Sequence, residues 1–293
     1  RKSRGFNAVN FSGLPAGTKK ILITGYDPFQ LNNNMKQSNP SGASALLLHN
    51  QTLVKAGKTG KVQVAIMPVR YGDFDRGLVD TFFNKYFLGT DKVDMIITLS
   101  QGSPNRYDVE RFAAKFRDYR KTDNLNIQGG SATFYVPSFG TAVIAASTVS
   151  LPEFIETELP TNKMVPGTYS NSKTIYNQKW ITGKVTGPRF GIDEVKYHER
   201  LPSVHTDPNT DSGNSPIVDY PSEPSLEGSG QNYLSNEIFY RVALLRTKHA
   251  STVKTGHIHV PNLSQGTSDM DKYRTSELVF KVKEMIEDAL SGL

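Results

Sequence analysis

Apolar residues follow two rhythms along this chain. Short unbroken aliphatic runs alternate with longer stretches in which apolar residues recur every three or four positions. KKILITG, residues 19–25, is a run of the first kind and closes on Thr-Gly. A short aliphatic run ending in a turn signal predicts a buried strand. KVQVAIMPV (61–69) and VDMIITLSQG (93–102) repeat the pattern, and STVKTGHIHVP (251–261) predicts a later strand. The second rhythm appears in YGDFDRGLVDTFFNKYF, where Phe74, Leu78, Phe82 and Tyr86 stand four apart and predict one amphipathic helix. Pro40 and Ser41 open a helix over GASALLLHN. YLSNEIFYRVALLR (233–246) carries Ile238, Phe239, Val242 and Leu245 at helical spacing, and TSELVFKVKEMIEDAL (275–290) predicts a closing helix. Strands alternating with helices imply an α/β fold, a mostly parallel sheet covered on both faces.

Residues from about 160 to 230 break these rhythms. They are rich in Pro, Gly, Ser, Asn and Thr and hold the chain's one tryptophan, Trp180. A structureless loop of that length is unusual inside a compact domain. The segment therefore reads as an insertion, with TYSNSKTIYNQKWITGKVTG supplying a hairpin. The expected organisation is an N-terminal extension over 1–18 and a single domain over 19–293 that carries the insertion at about 160–230.

Charge and composition narrow the function. Lys and Arg number 34 against 28 Asp and Glu, a formal charge of +6, but the basic residues are scattered and not interleaved with aromatics. No nucleic-acid partner is expected from that pattern. No apolar stretch is long enough to span a membrane. RKSRGFNAVNFSG lacks the apolar core of a signal peptide, and the missing initiator Met leads us to expect a trimmed or processed chain. Cysteine is absent, which removes disulfides, thiolate metal sites and a cysteine nucleophile. His257 and His259 stand two apart, so on a strand they share a face, but no third ligand follows and the H-E-x-x-H pattern is missing. No metal and no cofactor is expected.

Sites in open α/β sheets lie beyond the carboxyl ends of the strands. Three polar loops stand there: TGYDPF (24–29), SQGSPNRYDVER (100–111) and GHIHVP (256–261). They are expected to converge with the start of the helix that carries Ser235. A hydroxyl, a carboxylate and an imidazole in one neighbourhood form the nucleophile, orienter and base of acyl transfer. Read locally, Ser235 is a helix cap accepting from the N–H groups of the first turn, and a histidine between apolar neighbours is a satisfied structural residue. Both readings stand at this level.

The blocks around these residues resemble the pyroglutamyl peptidase type I, or pyrrolidone-carboxylate peptidase, family. TGYDPF with the later NPS (39–41) resembles G-F-x-P-F…N-P-S, and TLSQG resembles V-G-Q-A. DVERFAAKFRDYRKTDN (108–124) resembles I-E-R-V-A-x-N…D-A-R-x-x-D-N, YLSNEIFY resembles F-V-C-N-x-x-x-Y, and GHIHVP resembles G-F-I-H-V-P. The resemblance runs in order along nearly the whole chain outside the insertion. It implies a three-layer α/β/α sandwich and removal of an N-terminal pyroglutamyl, or related acyl, group from peptides. It places the catalytic residues at Ser235, His259 and Glu110, supporting groups at Arg120 and Gln101, and the lactam-pocket aromatics at Tyr26 and Phe29. It also implies an N-terminally blocked peptide as partner, a possible homo-oligomer and a cytoplasmic location, with a processed or exported form left open. The departures are specific. Ser235 stands where the family has cysteine, and Gly230, Gln231 and Asn232 replace A-G-T before it. Ser235 is thus either a serine nucleophile or an engineered inactivation, and the alternative is an inactive binding or scaffold protein acting through its insertion.

Overall fold

The structure, a computed structural model, describes residues 4–5, 8–31, 37–118, 121–129, 151–165, 174–177, 179–186, 191–199, 225–263 and 269–293. The chain opens with β1 (Lys19–Tyr26), α1 (Pro40–Leu48), β2 (Thr52–Lys55), β3 (Lys58–Met67), α2 (Tyr71–Asp75) and α3 (Leu78–Phe83). It continues through β4 (Met95–Gln101), β5 (Tyr107–Glu110), β6 (Phe112–Ala114), β7 (Phe154–Glu156), α4 (Thr161–Met164), β8 (Thr174–Asn177), β9 (Lys179–Thr186), β10 (Gly191–Glu199) and β11 (Ser225–Glu227). It closes with α5 (Leu234–Lys248), β12 (Lys254–Val260) and α6 (Asp269–Ser291).

Among the described residues, seven strands form the central sheet in the order β2-β3-β1-β4-β12-β5-β8. Strands β3, β1, β4 and β12 run parallel. Strands β1, β3 and β4 are the aliphatic runs of the sequence, as expected of strands covered on both faces, whereas β12 sets Ile258 and Val260 on one face and Thr255, His257 and His259 on the other. Alternation then sorts those side chains into two layers. Ile21, Ile23, Ile97, Leu99, Ile258 and Val260 pack with Leu278, Val282, Ile286 and Leu290 of α6. Leu22 and Ile96 face the other way, against Phe74, Phe82, Phe83 and the α5 residues Ile238, Val242 and Leu245. The fold is therefore α/β, a mostly parallel sheet with helices on both sides. No helix among the described residues is long and apolar enough to cross a membrane.

The structure corrects several local expectations. The stretch from 71 to 87 is not one helix but α2, α3 and a 3₁₀ turn over Asn84–Phe87. Gly77 lies between the two helices with φ +77°, a left-handed conformation that glycine adopts without steric cost. The break shifts the buried register, so that Val79 rather than Leu78 is buried in the core. The polar loop after β4 contains β5, which pairs antiparallel with β12 and parallel with β8. Strand β8 falls inside the segment read as an insertion, yet it forms an edge of the central sheet. Of the stretch expected to supply a hairpin, β8 joins the central sheet, and β9 pairs antiparallel with β10, which lies beyond that stretch. Much of the rest of 160–230 lies outside the described residues. Before β1, Arg4 donates to Ile66 O and pairs with Asp27, so this part of the extension packs on the domain.

Candidate active site

Strand pairing assembles the imidazole and carboxylate. The antiparallel register of β12 and β5 sets His257 opposite Glu110 and His259 opposite Asp108. His257 and His259 share a sheet face, their rings meeting edge-on at 4.7 Å. Glu110 reaches along the strand, and its Oε1 lies 2.6 Å from His259 Nδ1. With Nδ1 held by the carboxylate, Nε2 is the ring nitrogen left for chemistry. Two glycines make room for the imidazole. A Cβ at Gly102 would lie 2.7 Å from His259 Cβ, and one at Gly230 would lie 2.9 Å from His259 Cε1. The turn from Gly228 to Gln231, closed by backbone hydrogen bonds of 2.9 and 3.0 Å, lays Gly230 over the ring.

The hydroxyl arrives on α5. Tyr233 is the N-cap residue and makes no side-chain cap bond. Ser235 therefore lies inside the first turn and is not the cap that its local sequence suggests. The N–H groups of a first helical turn have no intrahelical acceptor, so this end offers hydrogen-bond donors and a positive dipole. Side chains from several elements hold it in place. Tyr26 Oη donates to Leu234 O at 2.7 Å. Tyr233 Oη donates to Thr122 O at 2.8 Å. Asn236 brackets Ala114, accepting from its N–H at 2.8 Å and donating to its carbonyl at 2.7 Å.

These groups face one cavity of about 620 Å³, lined by Ser235, His259, Glu110, Gln101, Tyr26 and Phe29 among others. The polar loops thus converge as their positions after the strands imply. Arg120, the remaining candidate, lies outside the described residues. Phe29 meets Tyr233 edge-on at 5.5 Å, and Tyr26 stacks on Phe74 at 6.5 Å, giving the cavity an aromatic wall. Tyr233, Ser100 and Lys121 also line it and were not singled out from the sequence. Tyr233 had a signal, since it immediately precedes the helix start, but Ser100 and Lys121 are polar loop positions like many others. Among the described residues, no group of three or more His, Asp or Glu side chains is arranged to hold a metal.

Glu110 is 1% exposed. Burial raises its carboxyl from 4.5 to about 6, and the hydrogen bond and charge of His259 offset only part of that. The folded value lies above the unfolded one, so the protonated form is favoured by folding. That stabilisation is fully present below pH 4.5 and is lost as pH rises through about 6. Glu110→Gln, which never ionises, should gain about 2 kcal/mol relative to the wild type on going from pH 4 to pH 8. Denaturant titrations at the two pH values measure this, and an identical stability difference at both would mean that Glu110 does not carry the buried charge.

Comparison with known proteins connects this arrangement to two groups. A mutant pyrrolidone carboxyl peptidase from the hyperthermophile Pyrococcus furiosus superposes with a TM-score of 0.54 at 19% identity, covering 94% of this chain and 99% of that one. Pyroglutamyl peptidase I of Bacillus amyloliquefaciens superposes with a TM-score of 0.53 at 16% identity, covering 93% and 97%. At such identities the likeness is one of fold. In sequence, the chain is 25% identical over 296 residues to the uncharacterized protein PA0049 of Pseudomonas aeruginosa, a match covering 83% of this chain and 52% of that protein. The chain spans about half the length of this curated relative. The model of the PA0049 C-terminal domain matches residues 20–153 and 143–264, a span that takes in most of β1 together with Glu110, Ser235 and His259. By that match the chain belongs to the PA0049 C-terminal domain family.

Proposed function

We propose that this chain is a hydrolase that removes an N-terminal pyroglutamyl, or related acyl, group from peptides. Ser235 is the nucleophile, His259 the base and Glu110 the group that orients the base. The observation that carries the reading is the 2.6 Å contact between Glu110 Oε1 and His259 Nδ1 in the cavity that Ser235 also lines. A buried carboxylate on Nδ1 fixes the tautomer, leaves Nε2 free to take a proton, and stabilises the imidazolium that forms. Ser235 Oγ attacks the acyl carbonyl while its proton passes to His259 Nε2. His259 then returns that proton to the leaving amine, and water releases the acyl group by the same path in reverse. The unpaired N–H groups at the start of α5 are suited to the negative oxygen that develops on the carbonyl. A serine hydroxyl needs this base, whereas a cysteine at a helix start ionises before substrate arrives. The pocket aromatics, Tyr26 and Phe29, suit a flat and compact lactam ring.

A serine-directed fluorophosphonate, followed by peptide mass spectrometry, tests the reading together with a pyroglutamyl reporter. The expected result is labelling at Ser235 and release of pyroglutamate by the wild type. A folded wild type that is inert, beside a Ser235→Cys variant that is active and blocked by iodoacetamide, would show a site shaped for sulfur and a serine form that is inactive. If both forms are inert on all blocked peptides, the hydrolase reading fails and the binding-protein alternative replaces it.

A further inference from the structure

The face of the sheet beneath α5 holds a second histidine that the proposed chemistry does not use. His257 is fully buried, and its ring stacks on Phe239 at 6.1 Å. Both ring nitrogens are nonetheless engaged by hydroxyls. Thr98 Oγ1 lies 2.7 Å from Nδ1, and Ser100 Oγ lies 2.7 Å from Nε2. Thr98 and Ser100 are the register partners of His257 and His259 on the adjacent strand. The chain from Thr98 through His257 to Ser100 thus runs up the sheet and ends at the cavity, which Ser100 lines.

The direction of this chain follows from its far end. Thr98 Oγ1 lies within donor reach of Gly256 O at 3.2 Å, and its one hydrogen is assigned to that carbonyl. Toward His257 it acts as acceptor, so Nδ1 carries the imidazole hydrogen. Burial, and secondarily the neighbouring His259, hold His257 well below its ordinary pKa, so the ring is neutral and Nε2 is bare. A neutral imidazole has one donor and one acceptor. Ser100 therefore donates its hydrogen to Nε2, and only its lone pairs remain for the cavity. Two other buried acceptors on the lining, Gln101 Oε1 and Glu110 Oε2, have no hydrogen-bond partner among the described residues. Unpaired buried acceptors are costly, and a ligand donor would satisfy them.

Ser100 is not a convincing nucleophile. To act as its base, His257 would become a fully buried cation beside the ring of His259, with only hydroxyls bonded to it. Its position in the sequence is also informative. The motifs this chain resembles carry glycine where Ser100 stands and phenylalanine where His257 stands, so the two departures are the two ends of one hydrogen bond.

We propose that Ser100 is a specificity-determining residue, locked by His257 as a hydrogen-bond acceptor that reads the ring N–H of a lactam ligand. The ligand class rests on the reading in the preceding subsection, and the direction of the hydrogen-bond chain does not.

Calorimetric titration with pyroglutamamide and with 3-oxocyclopentanecarboxamide, the same ring with CH₂ in place of N–H, tests the proposal. The wild type should bind the lactam at least about tenfold more tightly than the carbocycle, the cost of leaving a buried acceptor unpaired. Ser100→Ala and Ser100→Gly should bring that ratio to within about threefold, which is the size of effect left once the acceptor is gone. If either folded variant discriminates as the wild type does, while the wild type still hydrolyses pyroglutamyl peptides, the role of Ser100 is overturned and the hydrolase reading survives. If the wild type binds neither compound and hydrolyses nothing, both the function and this ligand fall together. ¹⁵N NMR of labelled histidine checks the chain itself without any ligand. A bare Nε2 on His257 is expected, and a protonated Nε2 would overturn the acceptor assignment.

Discussion

His259→Ala is expected to reduce kcat for a pyroglutamyl reporter by about 10⁴-fold or more, the scale seen when the base of a nucleophile–base pair is removed. Ser235→Ala should do the same, and the double variant should be no worse than either single one, because the two groups act as a unit. The structural basis is their shared cavity together with the Glu110 contact on Nδ1. Steady-state kinetics on the three variants, with circular dichroism to confirm folding, settle the point. Losses that multiply in the double variant would mean that Ser235 and His259 serve separate steps. Full activity in His259→Ala would remove it from the chemistry altogether.

The second large effect is on stability. Glu237 lies two residues after Ser235 and is 2% exposed. Its carboxylate receives Arg117 through Nε and Nη2, both at 2.6 Å, and Arg241 Nε at 2.9 Å. Arg241 is fully buried and also pairs with the buried Asp80. Burial alone would raise the Glu237 carboxyl, but the charges of Arg117 and Arg241 outweigh it and hold the group below its ordinary 4.5. Its contribution is therefore present above pH 4.5 and is lost as pH falls through the depressed value. Glu237→Ala leaves two arginines buried without their shared partner, which costs about 3–5 kcal/mol. Urea unfolding at pH 7 should show a loss of that size. A loss below about 1 kcal/mol, typical of an exposed pair, would mean that water reaches the network. Because Arg117 also donates to Gly129 O at 3.0 Å, the network ties a loop to the first turn of α5, and the variant should lose activity along with stability.

The elements whose positions were legible are those with a strong period. Strands β1, β3 and β4 are buried on both faces, so their aliphatic runs stand out from any neighbouring segment. Helices α5 and α6 bury a stripe, and a stripe has a spacing. The conversion of sheet order into a site was also partly legible, because loops at the carboxyl ends of parallel strands converge for topological reasons. Ser235, His259, Glu110, Gln101, Tyr26 and Phe29 do line one cavity.

Other features had no local signal. Gly77 interrupts an apolar spacing that continues on both sides of it, and spacing alone cannot report a residue at φ +77°. Strands β5 and β8 are four residues each and partly polar, so they become strands only by pairing with what lies beside them. Ser235 looks like a cap because it precedes an apolar run, but the chain turns into the helix at Leu234, where Tyr26 and Tyr233 hold the entry. Glu110 and His259 are 149 residues apart, and Ser100 and His257 are 157 apart. Residue spacing describes forces that act within a few positions along the backbone. Contacts at those separations depend on strand order and on a register in which a one-residue slip would send each side chain to the opposite face of the sheet. The long-range pairing therefore decided which histidine meets the buried carboxylate and which meets the Thr98 and Ser100 hydroxyls, and so divided a hydrogen-bond relay from the candidate catalytic base.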